Sequence, residues 1–194
     1  DSRSGATPKA LLEGTKGVLV VDGYSGYNHV EKVSSRRRAA CFAHVRRYFF
    51  DAIKTAPVAQ EALDLITELY RVEHEAKEQR LSEDSHLEFR KVRAGPIRER
   101  LKGWLDAELP KHPPKSPLGV ALRYTLGQWD ELGVFLDDAR VPLDNNASER
   151  ALRRIALGRK NYLFVGDLAS GKSLDDVATR YGVDKRRLAA EVNR

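Results

Sequence analysis

An α/β fold is predicted by three features of this sequence. Val18-Leu19-Val20-Val21 is a short β-branched run that ends in Asp22, with Gly23 and Gly26 just beyond. Such a run reads as a buried strand opening into a turn. From about residue 58 to residue 136 apolar residues recur at helical spacing, with few interruptions. A further acid arrives late, in Asp144-Asn145-Asn146-Ala147-Ser148-Glu149, where a helix-capping cluster leads into a helix.

The elements follow in order. Residues 1–16 are a Ser/Gly/Pro-containing lead with a short helical piece near Lys9–Leu12. Residues 17–22 form the first strand, and 23–34 a Gly/Tyr/Asn turn region with a short helix. Ala39–Phe42 reads as a second strand and His44–Thr55 as a helix with an aromatic-rich face. Ala62, Leu65, Ile66, Leu69 and Val72 predict a helix from Val58 to about Arg80. A break around Ser82–Ser85 precedes a second helix over Leu87–Leu109, and Pro110–Pro117 is a proline-rich turn. Leu122, Leu126, Trp129 and Leu132 form the apolar stripe of a helix over Leu118–Leu136. The Pro142 turn and the Glu149 helix close the series. No internal repeat is visible. The division expected is 1–56 for the strands and first helix, 57–141 for a helical insertion, 142–166 for the acidic helix with a basic segment, and 167–194 for a helical tail.

Composition narrows the class. The 194 residues, 41% hydrophobic, suit one domain with an appendage. The 34 Lys+Arg against 28 Asp+Glu leave a net charge of +6, which fits a polyanionic partner. The positive charge is clustered at Arg36-Arg37-Arg38, Arg46-Arg47, Arg150 to Lys160, and Lys185-Arg186-Arg187. Clusters beside the two candidate acids favour phosphate contact. The single Cys excludes an intrachain disulfide and fits a reducing, cytoplasmic setting. No apolar run approaches a membrane span and no signal peptide is evident, so no membrane partner is expected. The absence of Met, position 1 included, suits a chain that starts inside a longer one.

The two acids carry the chemistry. In open α/β sheets, ligands gather at the carboxyl ends of strands, where Asp22 stands. Glu149 lies near a helix start and is followed by Arg150, Arg153 and Arg154. A strand-end Asp with a helix-borne Glu is the pattern a two-metal phosphoryl-transfer site requires. The bland alternatives are a turn-capping Asp and a Glu149–Arg153 surface ion pair four residues apart.

Five blocks then carry a resemblance. They are Asp22-Gly23-Tyr24-Ser25-Gly26-Tyr27-Asn28, Cys41-Phe42-Ala43-His44-Val45-Arg46-Arg47-Tyr48-Phe49, and His112 to Gly119 with Tyr124 to Asp130. The last two are Asp144 to Arg153 and Ile155 to Phe164. In this order they resemble the catalytic region of insertion-sequence-66 family transposases. The resemblance implies a DDE-type enzyme with an RNase H-like fold, here with an incomplete sheet, and a largely α-helical insertion between the second and third acids. It implies Asp22 as the second acid and Glu149 as the third, both binding Mg²⁺ (or Mn²⁺). The first acid is expected upstream of where this chain begins.

By the same resemblance the full enzyme would cleave the 3′ ends of an insertion sequence and transfer them into target DNA. Its partners would be the terminal repeats, the target DNA, further copies of itself in a synaptic complex, and accessory proteins of the same element. His44, Arg46, Arg47, Arg150, Arg153, Arg159 and Lys160 are the residues expected against DNA. Asp144, Asn145 and Asn146 are expected to cap the acidic helix beside the metals. The rival expectation is a non-catalytic DNA-binding or assembly fragment.

Three weaker signals remain. Cys41 and His44 have metal-ligand spacing but supply only two ligands, and His29, His74, His86 and His112 are not spaced to complete a zinc site. Gly166 to Ser173 formally matches a phosphate-binding loop with Lys172, yet too little chain follows it for a nucleotide-binding domain. Leu174–Val192 resembles two helices of a helix-turn-helix, with Lys185, Arg186 and Arg187 near the start of the second.

Overall fold

The computed structural model describes residues 16–23 and 36–150. Two compact units divide the chain, residues 1–147 and 148–194. In the first, the described residues are mostly helical around a two-stranded parallel sheet, which is an α/β arrangement.

Strand β1 is Val18–Val21 and strand β2 is Arg37–Ala40, paired in register from Val18 opposite Arg37 to Val21 opposite Ala40. A parallel pair needs a crossover rather than a hairpin, and here it runs through residues 22–36. β2 starts and ends two residues earlier than the sequence suggests. Cys41 is extended but already precedes the helix, and Phe42 is helical. The β-forming Cys-Phe pair misleads because Phe42 is drawn into the core as the first residue of a helix.

Helix α1 spans Phe42–Ala52 and α2 spans Ala59–Glu78. α1 has no side-chain cap at Cys41. A cap contributes about 1 kcal/mol, whereas burying a Phe or Val contributes about 2 kcal/mol. The buried Phe42, Val45 and Phe49 therefore hold α1 in place more than its ends do. α2 buries Ala62, Leu65, Ile66, Leu69 and Val72, the stripe legible in the sequence. It ends with Arg80 at φ 51, a left-handed position. The Leu81 N–H reaches the Ala76 carbonyl and the Arg80 N–H the Lys77 carbonyl, a pairing that stops a helix and favours Gly.

Helix α3, Glu83–Glu108, returns alongside α2. Ser82 caps it by accepting from the Ser85 N–H, and Glu83 and Asp84 sit in the first turn, where a helix favours negative charge. Pro96 lies inside α3 and cannot bond the carbonyl of Val92, a residue on the exposed face of the helix. After a 3₁₀ turn at Leu109–Lys111 comes α4, Pro117–Leu126, with Ser116 capping the Gly119 N–H and Pro117 at the first position. A Cβ on Gly119 would stand 2.0 Å from the Pro113 carbonyl oxygen, so the tight Pro113–Ser116 turn requires glycine there.

The single helix expected over Leu118–Leu136 is two pieces. α4 ends at Leu126, and a 3₁₀ segment Glu131–Leu136 follows a turn. Arg98 of α3 meets the chain within the break: its guanidinium stacks 4.1 Å from the Trp129 ring and donates to the Trp129 carbonyl at 2.6 Å, while the Gly133 N–H turns to the Asp130 carbonyl in a 3₁₀ pairing. Leu132, Val134 and Phe135 of the 3₁₀ segment still reach the core.

Arg90 on α3 is the largest fully buried side chain among the described residues. It forms a two-pronged pair with Glu73 of α2, both contacts at 2.7 Å, and donates to the carbonyls of Phe135 (2.8 Å) and Asp138 (3.0 Å). Its guanidinium also lies 5.5 Å from the Phe135 ring centre. Removing one partner of a buried pair costs about 3–5 kcal/mol, because the other charge stays buried and unpaired. We expect Arg90→Ala to lose stability of that order in urea unfolding; a change below about 1 kcal/mol would show the pair to be dispensable. Arg80→Gly is expected to act the other way, stabilising by up to about 1 kcal/mol by relieving left-handed strain, read as a raised urea midpoint with unchanged slope.

Candidate active site

β1 and β2 run parallel, so both deliver their carboxyl ends to one edge. Asp22 leaves β1 there, half-buried, and Cys41 leaves β2 beside it. A third segment joins the same edge. The Phe42 N–H donates to the Leu143 carbonyl at 2.9 Å, which fixes the Leu143–Asn146 loop against the start of α1.

Asp22 is held by its neighbour. The Gly23 N–H donates to the Tyr124 hydroxyl at 3.2 Å, and Tyr124 packs on Tyr48 of α1 with ring centres 4.3 Å apart. A Cβ on Gly23 would lie 2.7 Å from the Tyr124 ring and 2.8 Å from Gln128. The glycine after the acid thus lets the backbone lie close against the Tyr124 and Gln128 side chains. Burial raises the Tyr124 phenol above its usual range, so it stays protonated.

On the other flank of α1, the Asp144 carboxylate accepts three hydrogen bonds. Its Oδ1 accepts from the Asn146 backbone N–H at 3.0 Å. Its Oδ2 accepts from the Asn146 side-chain amide at 2.8 Å and from the Tyr70 hydroxyl of α2 at 2.9 Å. Asp144 thus accepts from the first helical residue, and residues 146–150 are helical after it. The Asn145 N–H faces the Cys41 thiol, while the Asn145 carboxamide oxygen is buried with no partner among the described residues. An open cleft of about 390 Å³ lies here, with Arg46, Thr67, Tyr70 and Asp144 on its walls.

The expected DNA-facing residues of α1 divide by exposure. Arg46 and Arg47 are exposed and His44 is half-buried. The Arg36–Arg38 cluster has other work: Arg37 pairs with Asp137, and Arg38 with Glu131 at 2.8 Å, tying β2 to the 3₁₀ segment. Much of its charge is thus matched inside the fold. Glu149 is half-buried and Arg150 exposed in the helix at 146–150, and both belong to the second unit. Arg153, Arg159, Lys160, the 166–173 loop with Lys172 and the 167–194 tail lie outside the described residues.

Asp22 and Asn145 each carry a hard oxygen donor of the kind Mg²⁺ takes. Among the described residues, however, no three His, Cys, Asp or Glu side chains come together to hold a metal ion. Two ions need more carboxylates than these. Cys41 is 1% exposed and burial raises its thiol, so it serves as a small core residue.

The family model for the transposase IS66 family matches residues 1–173. This chain belongs to that family of transposases. Three relatives from Sinorhizobium fredii, all carrying the description uncharacterized protein, are similar to it. The y4jD protein is 35% identical over 187 residues, covering 92% of this chain and 36% of its own length. The y4qI protein is 35% identical over 189 residues, covering 92% and 34%. The y4hP protein is 34% identical over 182 residues, covering 84% and 33%. The chain therefore spans about a third of the length of these relatives. No solved structure matches it. No helix among the described residues is long and apolar enough to cross a membrane.

Sequence reasoning missed Tyr70. It sits between the stripe residues Leu69 and Val72 and carries no motif of its own. Burial first, and then the Asp144 carboxylate, push its phenol well above the ordinary value of 10.0. Tyr70 and Cys41 are both acids whose protonated forms the fold favours. Their contribution to stability is intact below the ordinary values of 9.0 and 10.0 and falls as pH rises beyond them. We expect the urea midpoint to drop above about pH 9, less steeply in Tyr70→Phe, and Cys41 to react with a thiol reagent only as the chain unfolds. Modification of the native chain at a free-thiol rate would contradict this burial.

Proposed function

We propose that this chain is part of the catalytic core of an insertion-sequence transposase. In this reading the core is RNase H-like and acts on the phosphodiesters at the element's 3′ ends, then joins those ends to target DNA. One observation carries it. In a chain matched to the transposase family over residues 1–173, the strand-end Asp22 and the Asp144–Asn146 loop meet at one edge of a parallel pair.

Asp22 and Glu149 are the carboxylates this reading assigns to Mg²⁺ or Mn²⁺. When bound, such ions activate the attacking oxygen and stabilise the leaving one. The chain's own residues do the rest. Gly23 and Tyr124 hold the backbone beside Asp22, and Asp144 caps the start of the helix that carries Glu149. Arg46 and Arg47, exposed on α1, hold DNA phosphates, with Arg150 and, by sequence, Arg153, Arg159 and Lys160. His44 stands at the same helix start. The partners are the terminal repeats, target DNA, further copies in a synaptic complex and accessory proteins of the element.

The rival reading, a DNA-binding or assembly fragment without chemistry, draws on the shortage of metal-binding donors among the described residues. The two readings part on metal-dependent nicking of a labelled duplex by this chain beside its Glu149→Ala variant. We expect nicking that needs Mg²⁺ or Mn²⁺ and vanishes in the variant; DNA binding with no nicking would favour the rival. Arg46→Ala with Arg47→Ala is expected to weaken DNA binding without regard to sequence. The slope of log affinity against log salt should fall by roughly one for each phosphate that the variant no longer neutralises. An unchanged slope would remove α1 from the DNA interface.

A further inference from the structure

We propose that Phe50 is a stacking platform for an unpaired nucleotide of DNA, with the cations beside it holding the neighbouring phosphates. The proposal rests on the reading of α1 as a DNA-facing helix and adds the state of the DNA there, which is single-stranded.

The run Arg46-Arg47-Tyr48-Phe49-Phe50 interleaves cations and aromatic rings on α1. The fold sorts them. Phe49 is buried against Trp104, with ring centres 5.8 Å apart, and Tyr48 packs on Tyr124. Phe50 stays 59% exposed. Every other described phenylalanine meets a ring or a guanidinium: Phe42 meets Phe135, and Phe89 meets Arg93. Phe50 meets neither among the described residues. Water thus covers a ring whose burial would favour folding, on a helix already anchored by Phe42, Val45 and Phe49.

Its neighbours are cations. Arg46 and Arg47 precede Phe50 by four and three positions, which makes them its neighbours on the helix surface. Lys54 stands in the turn just beyond α1, and all three are exposed. Elsewhere on the surface Arg93, Arg100, Lys102 and Arg140 are each matched by an acid. Among the described residues no acid forms such a pair with Arg46, Arg47 or Lys54. Asp51, exposed beside Phe50, is the only acid of α1 and leaves the patch positive.

A bare ring among unmatched cations fits a ligand that strings flat apolar faces along an anionic backbone, which describes a single strand of nucleic acid. Inside an intact duplex the base faces are stacked on one another, out of reach of such a ring. A second copy of this chain fits poorly. A two-fold contact through the patch would set its cations against themselves. One phenylalanine rimmed by charge also falls well short of the roughly 800 Å² per partner that stable association buries.

The test compares two probes, a labelled oligothymidylate and a relaxed, covalently closed duplex circle, on the whole chain. Phe50→Ala removes an exposed ring, so its urea midpoint should match that of the parent. We expect it to bind the oligothymidylate at least about tenfold more weakly, with affinity for the circle unchanged. Phe50→Leu keeps apolar surface but no flat face, and should lose as much. Phe50→Trp should restore the affinity. The slope of log affinity against log salt should stay the same in Phe50→Ala, because no charge is removed.

Equal loss on both probes, or full affinity for the oligothymidylate in Phe50→Ala or Phe50→Leu, overturns the proposal. If Arg46→Ala with Arg47→Ala still weakens DNA binding, the DNA-facing reading of α1 survives that result. A parent chain that self-associates and turns monomeric in Phe50→Ala, with its DNA affinity intact, overturns the proposal and gives the patch to a second copy. A parent that binds neither probe overturns both readings.

Discussion

The described fold depends on Arg90 more than on any other group. A fully buried guanidinium is tolerated only when its donors are met and its charge is matched. Glu73 matches the charge, and the carbonyls of Phe135 and Asp138 take further donors. Those partners come from α2 and from the irregular segment after α4, which has few ladder bonds of its own. The 3₁₀ stretch thereby acquires a defined place. It passes that placement on through Val141 and Leu143, both buried, to the loop at the sheet edge.

That edge is organised around α1. One flank of the helix meets Tyr124 through Tyr48 and so reaches Gly23 and the Asp22 turn. The other flank faces the cleft where Arg46 and Tyr70 meet Asp144. Its first N–H holds Leu143. Arg46 on that cleft and the neighbouring Arg47 are both exposed. A single helix thus brings the acid-bearing turn, the capping loop and two cations to one surface.

Much of this could be read from the residues alone. The β-branched run ending in Asp22 gave β1, and the apolar stripe on residues 62–72 gave α2, because both patterns follow directly from burial on one face. What could not be read were effects of residues distant in sequence. The helix expected through residue 136 ends at Leu126, and the Trp129 beyond it meets Arg98 from another helix. The triple Arg at 36–38 looked like a phosphate surface because its partners, Glu131 and Asp137, lie about a hundred positions away. Tyr70 was silent for the same reason: a tyrosine in an amphipathic helix carries no sign of the carboxylate it will meet.

The link between Phe42 and Leu143 is made entirely of main-chain atoms. Every residue but proline at position 42 supplies the N–H, and every residue at 143 supplies the carbonyl. The attachment of the loop is therefore indifferent to which side chains stand at its two ends, as long as they fill the core. Side chains at these two positions can therefore be exchanged for others that fill the core while the 143–146 loop stays against the start of α1, so divergence there is a poor guide to whether the loop keeps its place.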